Sequence, residues 1–115
     1  MESKPPTNEI RLLSICIKET ELRISLELQV SDEVDVRNPD DPRAFYIEYG
    51  IQKKKLKLRE LIGWEGIQGP VLEPTEIKLI FARFPDEISE FNLLEGTNRP
   101  DGYSYWDFIG IKLNH

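Results

Sequence analysis

The sequence predicts an all-β domain: an antiparallel β-sandwich, immunoglobulin-like, of about seven short strands, with a small β-barrel as the nearest alternative. Three observations predict it. Apolar, β-branched segments recur at spacings of about ten residues, and Gly, Pro and Asp separate them. One of them, Glu21 to Val30, alternates without a slip: Leu22, Ile24, Leu26, Leu28 and Val30 face one way, Glu21, Arg23, Ser25, Glu27 and Gln29 the other. That is a strand with one dry and one wet face.

Residues 1–8, with Pro5-Pro6, read as a flexible leader, and residues 9–115 as a single β-sandwich domain. Glu9 to Ile17 forms a first strand that makes a hairpin with Glu21 to Val30. Ser31 to Arg43 carries Asn38-Pro39 and Asp41-Pro42, which disfavour both helix and strand, so it reads as a loop. A second hairpin pairs Ala44–Tyr49 with Lys53–Arg59, turning near Gly50. Leu61 to Glu73 contains Gly63, Gly66, Gly69 and Pro70 and reads as a connection whose Trp64 or Ile67 plugs the end of the core. Ile77 to Phe84 follows as a central strand, apolar on both faces. Glu90–Glu95 and a final strand through Trp106–Leu113 make a third hairpin around the turn residues 96–102.

Composition narrows the function. Fifteen basic against twenty-one acidic residues give a net charge of −6 and a pI near 4.8. That balance disfavours nucleic acid, whose affinity comes mainly from neutralising phosphates. No run approaches the roughly eighteen apolar residues of a membrane helix, and no signal-peptide core begins the chain, so no membrane partner is expected and the chain as written reads as cytoplasmic. The lone Cys16, inside Leu13-Ser14-Ile15-Cys16-Ile17, reads as a small buried hydrophobe. With one histidine at position 115 and no catalytic constellation, the chain reads as no enzyme, and no cofactor motif is present.

Over its C-terminal half the chain resembles a known family. The phrases Phe81-Ala82-Arg83-Phe84-Pro85, Phe91-Asn92-Leu93-Leu94-Glu95-Gly96 and Trp106-Asp107-Phe108-Ile109-Gly110-Ile111-Lys112-Leu113 are similar to those of a small bacterial β-sandwich domain family of uncharacterised function. Asn92 and Leu94 depart from its usual acidic and β-branched residues. The resemblance implies a β-sandwich with a non-enzymatic role, and it supplies no catalytic residues.

Four groups of residues are candidate sites. The acidic loop with Asp32, Glu33, Asp35, Asp40 and Asp41 could gather oxygens for calcium, although its spacing matches no defined calcium loop; the plainer reading is a solvated loop. The row Lys53, Lys55, Lys57 and Arg59 could receive an acidic partner or an anionic surface, or else guard an exposed strand edge. Trp64, Tyr103, Tyr105 and Trp106 could form a platform for a peptide or sugar, or cover the open end of the sandwich. Glu95 could serve as an acid, but more simply caps the turn after it. Together these predict a protein-interaction or accessory module that docks a protein partner, including a second copy of itself, by a strand edge or the aromatic turn. A carbohydrate- or small-ligand-binding module and a calcium-stabilised adhesion-type domain are the alternatives.

Overall fold

The computed structural model describes residues 10–65, 68–85, 87–96 and 107–113. The expected leader 1–8 and turn 97–102, with Ile67, Tyr103, Tyr105 and Trp106, lie outside those residues. Among the described residues all regular structure is β. The strands are β1 Ile10–Ile17, β2 Glu21–Leu28, β3 Ser31–Asp35, β4 Phe45–Tyr49, β5 Lys54–Ile62, β6 Gln68–Val71, β7 Thr75–Ala82, β8 Glu90–Glu95 and β9 Phe108–Lys112. Seven of them make one antiparallel sheet in the order β1-β2-β7-β5-β4-β8-β9, curled into a half-barrel, while β3 and β6 form a small second sheet. The three expected hairpins, β1–β2, β4–β5 and β8–β9, are all present.

The centre of the sheet follows its sequence pattern. β2 and β7 pair without a slip from Glu21 opposite Ala82 to Leu28 opposite Thr75. Leu22, Ile24, Leu26 and Leu28 meet Ile77, Leu79 and Phe81 on the concave side, and all seven are sealed from solvent. Burying each such side chain stabilises the fold by about 1.5–3 kcal/mol before chain entropy is counted. Phe45, Ile47, Leu58, Phe91, Leu93, Phe108 and Ile111 continue that core, and Val34 and Val71 of the small sheet join it.

β7 corrects the expectation of an apolar strand on both faces. It stops at Ala82, and its convex side carries Glu76 and Lys78, with Ile80 the buried apolar residue there. Ile80 lies between Arg23 and Glu60 across the two ladders, and the methylene stems of such residues suit covering apolar surface. Arg83 leaves the strand line and donates to the Lys18 carbonyl at 3.2 Å. Phe84 then turns into the core, tilted against Tyr49 and Phe91 with ring centroids 5.5 and 5.4 Å away.

Where strict alternation fails, a bulge is the reason. Each of β1, β5 and β9 carries one residue more than the strand it pairs with: Leu13 on β1, Arg59 on β5, and one at Ile109–Gly110 on β9. An extra residue reverses which side chains face the core from that point on. On β1, Ile10 and Leu12 face inward before the bulge, and Ile15 and Ile17 after it. Cys16 is therefore exposed, contrary to the buried hydrophobe its apolar run suggests. On β9, Gly110 takes φ +70° and donates its N–H to Asn92 Oδ1 at 2.8 Å, which brings both Phe108 and Ile111 into the core and leaves Ile109 54% exposed.

The small sheet is a second correction. Ser31 to Asp35 was expected as loop and Gln68 to Val71 as connection, yet they pair as β3 and β6. Asp, Glu, Gly and Pro give these segments weak strand propensity. Burial of Val34 and Val71 against the main core overrides it.

Candidate functional site

β5 brings the candidate residues together. Its first half, Lys54 to Lys57, pairs with β4, and its second half, Leu58 to Ile62, pairs with β7. The bulge residue Arg59 sits where the strand changes partner, the usual device for turning a corner between sheet segments. The cationic row is consequently not one face. Lys55 and Lys57 project from the convex side opposite Glu48 and Tyr46, Arg59 belongs to the bulge, and Lys53 belongs to the turn with φ +53°. Lys55 Nζ lies 5.5 Å from the centre of the Tyr46 ring.

The acidic loop folds back onto this row. Asp40 Oδ1 accepts a hydrogen bond from Lys57 Nζ at 2.7 Å, joining residues seventeen apart in sequence. Asp41 accepts from the Arg43 backbone N–H at 2.8 Å and from its guanidinium at 3.2 Å, a local turn closed further by Ala44 N–H donating to the Asp41 carbonyl. Asp35 pairs with Arg37 and lies 3.9 Å from Arg43. The hydrogen bond from Lys57 holds the Asp40 carboxyl below its ordinary range, and that from Arg43 does the same for Asp41. Each of these three carboxylates is thus answered by a cation of the chain itself. Among the described residues no three acidic, His or Cys side chains converge as a metal site, and the side chains of Asp32 and Glu33 lie outside the description.

Loop and hairpin enclose an open pocket of about 230 Å³. Ala44, Phe45, Leu58, Pro39 and Tyr46 line it, together with the bonded pair Lys57 and Asp40. Drug-sized ligands occupy about 300–1,000 Å³, so this hollow suits a single inserted side chain.

The other candidates are not gathered here. Trp64 is half-buried and packs against the core, with Asn38 Nδ2 donating to the neighbouring Glu65 carbonyl at 3.1 Å. Tyr103, Tyr105 and Trp106 lie outside the described residues. At the end of β8, the Glu95 N–H donates to Asp107 Oδ1 at 3.2 Å. Two features escape a reading of the sequence. The acceptor Asp107 sits beside a segment whose turn geometry the pattern does not fix. Ile51, at the apex of the β4–β5 turn, is fully exposed; its place between Gly50 and the lysines was the available signal.

β1 presents a different surface. Among the described strands it pairs with β2 alone. Leu13 is 40% exposed, and Ile15 and Ile17 reach the core but stay half-buried. Past Arg11 the strand carries no charge.

No protein-family model, curated protein or solved structure matches the chain.

Proposed function

We propose that this chain is a non-enzymatic accessory domain, immunoglobulin-like in size and strand number, that docks a protein partner by adding a strand to the β1 edge. A second copy of the chain is one such partner. The half-buried pair Ile15 and Ile17 supports this reading most directly: an added strand would complete their burial while its main chain bonds to the outer groups of β1. Exposed edges are ordinarily blunted by charge, proline or shortness. β9, at the other end of the described sheet, is five residues long and ends in Lys112, whereas β1, itself bulged at Leu13, runs eight residues with Arg11 as its one charge.

The test is residue-resolved hydrogen exchange, with light scattering for self-association and purified partner for a heteromeric complex. Docking should slow exchange of the β1 amides, and Leu13→Lys with Cys16→Lys should abolish that protection without altering the fold. Protection elsewhere, with β1 unchanged, would reject the reading.

A further inference from the structure

We propose that the tip of the β4–β5 hairpin docks the protein onto an anionic lipid surface, with Ile51 entering the headgroup layer and a collar of lysines binding the phosphates around it. The inference is independent of docking at β1, which is separated from β5 by β2 and β7 in the sheet order.

The tip is built to project. Gly50 at φ +80° and Lys53 at φ +53° close the turn, and Lys53 N–H donates to the Gly50 carbonyl at 3.1 Å. Positive φ at a lysine is costly, so the closed turn holds it there. Ile51, held at the apex, has a relative exposure of 102%, the most exposed large apolar residue among those described.

The charges surround that apex. Successive strand residues point to opposite faces. Lys54, opposite Tyr49, projects on the core side, and Lys55, opposite Glu48, on the convex side, with Lys53 between them in the turn. Lys53 and Lys54 make no ion pair with any described residue. A peptide lying along one face would meet part of this collar. A plane approached end-on meets all of it together with Ile51, and that geometry favours a membrane surface over an acidic polypeptide.

The rest of the chain sets the orientation. Residues 49–59 hold five cations and no acid, whereas the remaining ten basic residues stand against twenty-one acidic ones. An anionic surface attracts the tip and repels the remainder, so the hairpin leads. No helix among the described residues could cross a membrane, and surface docking requires none.

The whole chain is sedimented with vesicles of phosphatidylcholine alone and with vesicles in which about a third of the lipid is phosphatidylserine, at roughly physiological salt. Binding is expected to the second and not the first, and to weaken as salt rises. Each lysine near such a surface contributes about a fivefold gain in affinity. Lys53→Glu, Lys54→Glu and Lys55→Glu together should therefore cost at least about a hundredfold, Ile51→Ser several-fold, and Lys78→Glu, opposite Ile62 at the far end of β5, nothing. Circular dichroism checks that the variants fold; if the triple variant does not, the Ile51→Ser and Lys78→Glu pair decides. Absence of binding to anionic vesicles, indifference to Ile51→Ser, or tip-dependent binding to polyglutamate or DNA but not to vesicles would each overturn the proposal.

Discussion

β2 and β5 are neighbours of the same central strand, β7, yet they do opposite things. β2 keeps one register with β7 along its whole length, buries four side chains and pairs its charges with neighbours: Glu27 with Arg11 of β1 at 2.6 Å, Glu21 with Arg23 at 2.5 Å. β5 starts from a cationic tip, changes partner at a bulge and buries Leu58 completely. Both are held by the same apolar core. What differs is one residue, Arg59, and with it the freedom to carry side chains that the core does not need. Regular strands supply stability here, and bulged strands supply surface.

The largest effect that would test this contrast lies where the two strands meet. Phe81 faces Leu22 across one ladder and Leu58 across the other, fully buried. Phe81→Ala should destabilise the domain by about 3–5 kcal/mol in denaturant unfolding. A loss below about 1 kcal/mol would mean that the core is not continuous from β2 to β5.

Gly63, just beyond β5, comes next. It holds φ +94°, and a methyl group there would lie 2.7 Å from the Glu76 carbonyl oxygen of β7. Gly63→Ala should cost about 1–3 kcal/mol of stability.

Smaller, but more specific to the bulges, is a pair on β1. Ile15→Ala should lower stability by about 1 kcal/mol or more, whereas Cys16→Ala should change it by less than about 0.5 kcal/mol. The native Cys16 thiol should also react freely with a thiol reagent. The reverse order of effects would remove the bulge at Leu13.

The smallest effect is electrostatic. The Asp40 and Asp41 carboxyls titrate below the ordinary aspartate value of about 3.9 because Lys57 and Arg43 hold them ionised. Their contribution is present above that value and is lost as pH falls through the depressed folded-state values. Arg43→Met with Lys57→Met should flatten the stability profile in that acidic window and leave its shape at neutral pH unchanged, since exposed pairs contribute little.

The same contrast explains what the sequence made legible. Leu22 through Leu28 could be read directly because nothing interrupts their period of two. Cys16, Arg59 and Ile109 could not, because an extra residue is recognised by its mismatch with the opposing strand, and the opposing strand is unknown from local pattern. β3 and β6 were hidden for a related reason: Val34 and Val71 gain their burial from the main sheet, while their own neighbours are poor strand formers. At the site, the lysines and aspartates were visible as two separate groups. The Lys57–Asp40 bond that joins them depends on how the loop returns over the hairpin, which no spacing encodes.

Hydrogen exchange measured amide by amide along β1 and β2 tests the central claim most directly. Strand β2, bonded on both sides, should be protected throughout, while alternate amides of β1 should exchange rapidly because their outer groups meet water. In the monomeric chain, uniform protection of β1, equal to that of β2, would show its edge already covered and contradict an open docking strand.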